Sequence, residues 1–243
     1  MLIHGIGSQW QMWKPLTERL ARDRDVIAVD LPGFGESPPL PDGAEPTPQA
    51  LTGAVVEHLD ELGLDRPAVA GNSLGGWVAL ELARRGRARA VAPIDPAGFW
   101  LPRERAYSTA RLWVTVRAAR AIVRRAPELA RNPVARTFMF AGIVAKPWLI
   151  PPDDAVTATA NLARSPGYDP TLGPLSRMTF AAGDEIEVPV TLMWGTQDLL
   201  LIPRQAERAL RVLPTARLVW LRGAGHVPTW DAPEQIAQEV LAL

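Results

Sequence analysis

Cysteine is absent from the 243 residues, which removes disulfides, thiolate metal sites and a cysteine nucleophile, and fits a reducing, cytoplasmic setting. Lysine is nearly absent as well: Lys14 and Lys146 are the only two among 26 basic side chains, a bias of coding rather than of chemistry. Neither charge is in excess, since 26 Lys and Arg balance 26 Asp and Glu, and a chain without net charge has no global field to draw in nucleic acid. No run of about 18 apolar residues occurs, so no membrane span is expected. Met1-Leu2-Ile3-His4-Gly5 lacks the basic and then apolar segments of a secretory leader. Histidine is scarce, with only His4, His58 and His226, which narrows any search for a general base to three positions.

What is present is an alternation of short apolar runs with helical patterns. Met1 to Ile3, Val26 to Asp30, Ala68 to Ala70, Ala90 to Ile94, Val190 to Trp194 and Ala216 to Leu221 are bounded by Gly, Pro or Asp. Most are too continuously apolar for strands wetted on one face, so buried parallel strands are expected. Trp13 to Arg22, Gln49 to Leu62, Leu74 to Arg85, Pro203 to Val212 and Pro233 to Leu243 carry helical spacing, the last two with proline at the first turn. This predicts an α/β fold in three layers, a mostly parallel sheet between helices. Residues 1–98 and 188–243 form its core. Between them, 99–187 read as Ala- and Arg-rich helices broken by proline turns, an inserted helical cap. Pro38 to Pro48, with five prolines, reads as an exposed loop.

Ala68-Val69-Ala70-Gly71-Asn72-Ser73-Leu74-Gly75-Gly76 runs from a strand into a helix through a sharp turn. Such a turn strains the central residue and brings its neighbours close, so small residues must stand two positions to either side, as Gly71 and Gly75 do. The turn would present the Ser73 hydroxyl at the carboxyl edge of the sheet beside a helix N-terminus, where developing negative charge is favoured. Ser73 is therefore the candidate nucleophile, against the plainer reading of a helix cap. His226, in Gly223-Ala224-Gly225-His226-Val227-Pro228 after the last strand, is the candidate base. His58 lies among acidic residues on an amphipathic helix and reads as solvated, while His4, after the first strand, reads as a pin for the loop Gly5-Ile6-Gly7. The base needs an acid to orient it. Asp198, in the turn after Val190 to Trp194, is the first choice and Asp95, ending the strand at Ile94, its competitor; Asp30, Asp184 and Asp231 read as turn, capping or solvated residues. Backbone N–H groups of Leu74 and Ile6 are the candidate oxyanion donors.

These segments resemble the α/β-hydrolase family, and the resemblance takes in the loop Asp30-Leu31-Pro32-Gly33-Phe34-Gly35-Glu36-Ser37. It covers nearly the whole chain, with the cap matching only as an insertion where the family places its lids. The chain order Ser73, Asp198, His226 is the order of that family's triad. The family usually has a β-hairpin before the strand ending in His-Gly; here that strand starts at Met1, so the expectation is either a truncated or misassigned start or a sheet that lacks one edge. The resemblance implies a serine hydrolase of small-molecule esters or related acyl bonds, acting through an acyl-enzyme and without metal or organic cofactor. It leaves open a carbon–carbon hydrolase of diketone-like substrates with the same triad, a haloperoxidase-like side activity, and a non-catalytic ligand-binding module. Members with an aspartate nucleophile, such as dehalogenases and epoxide hydrolases, are disfavoured by Ser73 at the elbow.

From Phe99 to Ile150 ten basic residues face only Glu104 and Glu128. Interleaved with Leu112, Trp113, Val114, Ile122 and Val123, they could meet an anionic substrate or a lipid surface. A solvated cap face is the expected reading, because acidic residues from Asp153 to Glu187 offset the charge. Trp100, Trp113, Phe138, Phe140 and Trp148 are candidate pocket walls for an apolar acyl or aromatic substrate, with packing in the core as the alternative.

Overall fold

In the computed structural model, which describes residues 1–243, six strands form one sheet. They are β1 (Leu2–Ile3), β2 (Ala28–Val29), β3 (Ala68–Asn72), β4 (Ala90–Ile94), β5 (Val190–Gly195) and β6 (Ala216–Leu221). Their order is β2-β1-β3-β4-β5-β6, and every neighbouring pair is parallel. Each apolar run in the sequence becomes a strand. The second shrinks to two residues, while the third runs on to Asn72 because Gly71 and Asn72 keep their register with Pro93 and Ile94. Ala216 to Leu221 departs from the expected double burial: β6 is an edge strand with Arg217 and Trp220 exposed.

Alternation along the strands sorts side chains to two faces. Ile3, Val69, Val91 and Leu192 point to one side, where α2 (Pro48–Glu61), α3 (Leu74–Arg84) and α9 (Arg204–Val212) bury Leu51, Val55, Trp77, Leu80 and Ala206 against them. Leu2, Ala70, Ala92 and Met193 point to the other, covered by α1 (Lys14–Leu20) and α10 (Pro233–Leu241) through Leu16, Leu20 and Ile236. Helix α2 forms where apolar residues recur every fourth position, Leu51, Val55 and Leu59. Thr47 caps it, accepting the Ala50 N–H at 3.1 Å, and Pro48 fills the first turn.

The chain passes from β1 out to the edge at β2 and returns across β1 to β3, then continues the other way to β6. Loops leaving β1 and β3 therefore diverge, and a crevice opens between them at the carboxyl edge of the sheet. Glycine sets how tightly it closes. A β-carbon at residue 75 would lie 2.2 Å from the carbonyl oxygen of Ile3, and one at residue 71 would lie 2.1 Å from that of Gly75. Helix α3 can start directly over the end of β1 only because both are glycine.

Between β4 and β5 the chain forms α4 (Pro102–Ile122), α5 (Ala126–Leu129), α6 (Pro133–Met139), α7 (Pro152–Arg164) and α8 (Tyr168–Leu175), with no strand beyond an isolated bridge between Ala141 and Val144. These helices cover the crevice and enclose a small core of their own, Ala130, Val144, Ile150 and Ala155. They are tied to the sheet layer by Ser108 Oγ donating to the Leu200 carbonyl at 2.7 Å, and by the Gly167 and Val227 N–H groups donating to the Gly33 and Ile143 carbonyls at 2.7 and 3.0 Å. No helix is long and apolar enough to cross a membrane.

Gly75→Ala is expected to lower stability by about 2 kcal/mol or more through overpacking against backbone, read as a fall in Tm of about 4–8 °C. Gly53→Ala in α2, where an added β-carbon meets only the Arg85 guanidinium at 3.9 Å, should leave Tm unchanged or raise it; equal melting curves for the two variants would refute the packing argument.

Candidate active site

Ser73 joins β3 to α3 with φ 56° and ψ −114°. Only one other non-glycine residue, Asp95 at φ 44°, has a positive φ. The surroundings hold the Ser73 backbone there: its N–H donates to the Ile94 carbonyl at 2.9 Å, and its own carbonyl accepts from the Trp77 and Ala97 N–H groups, each at 3.1 Å. The Ser73 hydroxyl makes no capping bond to α3 and faces a cavity that His226 also lines.

His226 stands on the loop after β6 and Asp198 on the turn after β5, both buried. Asp198 Oδ2 accepts from His226 Nδ1 at 2.8 Å, and Asp198 Oδ1 accepts the N–H groups of Leu200 and Leu201 at 2.7 and 2.8 Å. With Nδ1–H committed to the carboxylate, Nε2 carries the free lone pair. Ser73 and His226 line the same cavity without a hydrogen bond between them, a spacing common in ligand-free sites.

Asp95, the competing acid, does not bond to His226. Its Oδ1 accepts the Gly195 N–H at 2.7 Å, and its Oδ2 is buried without a donor. Burial first, then the adjoining Asp198 carboxylate, hold the Asp95 carboxyl well above the usual carboxylate range.

His4 is fully buried, with Nδ1–H donating to the Gly5 carbonyl at 2.7 Å and Nε2 accepting the Leu31 N–H at 2.9 Å. Burial lowers its pKa, which suits a neutral ring bridging two loops. His58 is exposed beside Glu61. The N–H groups of Ile6 and Leu74 are taken by no hydrogen bond; Ile6 lines the cavity, whereas the Leu74 side chain is in the core and leaves only its backbone to the crevice.

Two further residues organise the site. Asn72 Nδ2 donates to the carbonyls of His226 at 2.9 Å and Ile94 at 3.2 Å, joining the turn of Ser73 to the loop of His226. Asp231 is buried and accepts three backbone N–H groups, from Ala145, Lys146 and Gly225, at 2.8 to 2.9 Å. It is not a solvated residue: it binds the loop after α6 to the residue preceding His226. Asp30 does fit a turn, accepting the Trp10 N–H at 2.7 Å.

The cavity is about 840 Å³. Phe138 and Phe140 line it, together with Val114, Met139, Ile143, Tyr168 and Trp230, among others. Trp100 does not. It is buried in the core with Nε1–H donating to the Met178 carbonyl at 3.0 Å. Trp113 is turned to solvent with the Arg117 guanidinium stacked 3.6 Å from its ring centre, and Trp148 borders a separate, smaller cavity near Gln197. In each case the aromatic found another partner than the crevice. No group of three or more His, Cys, Asp or Glu side chains is arranged to hold a metal ion.

The chain matches the alpha/beta hydrolase family over residues 1–239. It is 33% identical over 208 residues to the epoxide hydrolase EphH of Mycobacterium tuberculosis, covering 79% of this chain and 92% of that one. It is 29% identical over 245 residues to the pimeloyl-[acyl-carrier protein] methyl ester esterase of Aromatoleum aromaticum, covering 98% and 94%. Among solved structures, a membrane phospholipase A described as a bacterial virulence factor superposes with a TM-score of 0.77 at 25% identity, over 99% of this chain and 76% of that chain. With a six-stranded parallel sheet, a strained turn after β3 and a match over nearly its whole length, the chain belongs to the alpha/beta hydrolase family.

Proposed function

We propose that the protein is a serine hydrolase of small-molecule carboxylic esters, with 1–98 and 188–243 as its catalytic core and 99–187 as a cap over the substrate. One observation carries this reading: the Asp198–His226 hydrogen bond ends at a cavity that Ser73, held in a strained turn, also lines. His226 Nε2 takes the hydroxyl proton as Ser73 Oγ attacks the acyl carbon. Asp198 stabilises the imidazolium, and the unpaired N–H groups of Ile6 and Leu74 receive the oxyanion. Collapse expels the alcohol, which takes the proton from His226; water then attacks the acyl-enzyme by the same route and releases the acid.

The relatives point to more than one activity, since an esterase, a phospholipase and an epoxide hydrolase are among them. The side chain at the turn favours acyl chemistry. In this fold epoxide opening uses an aspartate at the elbow, and Ser73 stands there instead. The apolar cavity wall suits an apolar acyl or alcohol group.

A fluorophosphonate probe is expected to label the wild type at Ser73 and to leave Ser73→Ala unlabelled; labelling that survives the substitution would sink the nucleophile. A panel of p-nitrophenyl esters of rising chain length beside a ring-fission dienone tests the bond. Turnover of the dienone alone would replace the ester reading with carbon–carbon cleavage.

Asp198→Asn should lower kcat by about 10³- to 10⁴-fold through loss of the correct tautomer, with little change in fold. Asp95→Asn should behave oppositely. Because the folded-state pKa of Asp95 is raised, the unfolded chain releases that proton first, from about pH 4, and the stability linked to it is lost as pH rises toward the folded value. The asparagine carries no such proton, accepts the Gly195 N–H through its amide oxygen and tolerates a positive φ. Its Tm is therefore expected to exceed the wild type's at pH 7.5 by about 3 °C or more, with the gain vanishing near pH 4 and turnover kept within a few-fold. A gain that is independent of pH, or a collapse of turnover equal to that of Asp198→Asn, would count against the division of roles.

A further inference from the structure

Arg111, on the cavity-facing side of α4, is the only Arg, Lys, Asp or Glu that lines the cavity. Elsewhere in the cap Arg120 pairs with Asp169 and buried Arg136 donates to the carbonyls of Ala130 and Trp148, while Arg103, Arg124 and Arg131 are exposed and lie outside the cavity lining. Arg111 has no carboxylate within 4 Å. Its one hydrogen bond runs from Nη1 to the Tyr107 hydroxyl at 3.3 Å, and that hydroxyl donates onward to the Leu199 carbonyl at 2.9 Å. The guanidinium also lies 5.8 Å from the Tyr107 ring centre. It is thus held in place while most of its donors stay free.

The wall beneath the guanidinium is shaped for it. Gly142 has φ +78°, and a β-carbon there would lie 1.9 Å from Arg111 Nη2, so the space a side chain would fill is taken by the guanidinium. Gly142 adjoins Ile143, whose carbonyl accepts the N–H of Val227, the residue after His226. The cation therefore lies between the otherwise apolar main cavity, which Arg111 lines, and the smaller cavity bordered by Gly142 and Leu199. A charge in such a wall loses solvation unless a counter-charge is supplied, and a guanidinium presents a planar fork that matches an oxyanion at two points.

We propose that Arg111 binds an oxyanion carried by the substrate, so that the preferred substrates are esters with an apolar chain ending in a carboxylate or phosphate remote from the scissile bond. This inference rests on the ester-hydrolase reading of the same cavity. The apolar lining holds the chain, Ser73 meets the acyl carbon, and Arg111 fixes the far end, which sets chain length as well as charge.

Three p-nitrophenyl esters of one chain length test it: the neutral octanoate, the hydrogen octanedioate with a terminal carboxylate, and the octanoate bearing a terminal phosphate. Wild-type kcat/KM is expected to favour an anionic ester over the neutral one by about 10-fold or more, the range of a charged hydrogen bond, and the better of the two anionic arms identifies the group. Arg111→Leu should reduce that ratio by about 10- to 100-fold, and Arg111→Lys, which keeps the charge without the fork, should retain part of it. A wild type that does not prefer the anionic esters, or a ratio unmoved in Arg111→Leu, overturns the proposal. Calorimetric binding of octanedioate against dimethyl octanedioate to Ser73→Ala separates the two readings. Tighter binding of the dianion without turnover of any ester keeps the Arg111 site and removes the hydrolase; turnover of the neutral ester with equal binding of both ligands does the reverse.

Discussion

The backbone of Ser73 sits where side chains are rarely found, at a cost on the order of 1–3 kcal/mol, and three backbone hydrogen bonds to Ile94, Trp77 and Ala97 keep it there. Those bonds form only if α3 begins at the end of β1 with no β-carbon between them, and so Gly71 and Gly75 bind three elements into one geometry. The loop after β1 then has no freedom to drift. A β-carbon on Gly5 would already lie 3.1 Å from that of Ser73, so the loop that carries Ile6 starts packed directly against the serine. The position of one side chain thus fixes the entrance to the helix, the edge of the sheet and the amides around it.

Around this turn the buried polar groups are supported mainly by backbone amides. Asp198 takes two, Asp231 three and Asp95 one, while Asn72 reverses the sense and donates to two carbonyls. A buried carboxylate supported in this way is stabilised as an anion, and one without that support holds a proton. Asp198 and Asp95 are neighbours of the same residue type, and their surroundings separate them: Asp198 bonds to the His226 imidazole and to two amides, whereas Asp95 has one amide and is pushed toward its neutral form by burial and by the Asp198 charge.

Local pattern made much of this legible. Six short apolar runs bounded by turn residues became the six strands, and glycine-rich loops after Trp194 and Leu221 left Asp198 and His226 at the same edge of the sheet as Ser73. The strained φ of Ser73 follows from glycines two residues away on each side. Asn72 and Asp231 were not legible because their partners are remote in sequence, 154 residues away for the His226 carbonyl and 86 for the Ala145 amide. Asp231 precedes a helix and looks locally like any capping residue. The cavity walls failed for a related reason. A large aromatic is drawn to whichever partner the tertiary fold offers, and Trp100, just before α4, found the Met178 carbonyl and the core, while Trp113 found Arg117.

Asp231 also bears on how the layers work together. Its carboxylate holds Ala145 and Lys146 of the segment after α6 and Gly225 of the loop after β6, and the Val227 amide reaches back to Ile143. The loop of His226 is therefore framed on both flanks by the segment after α6. Gly142, on which the Arg111 guanidinium rests, belongs to that same segment. A helical insertion joined to the sheet only by its two ends could be exchanged with no effect on the histidine. This one cannot, because the residues that shape the cavity wall and those that hold the imidazole share the same few hydrogen bonds. Selection acting on the segment around Gly142 must therefore act on the placement of His226 as well, which restricts change there more than at exposed Val134 in α6.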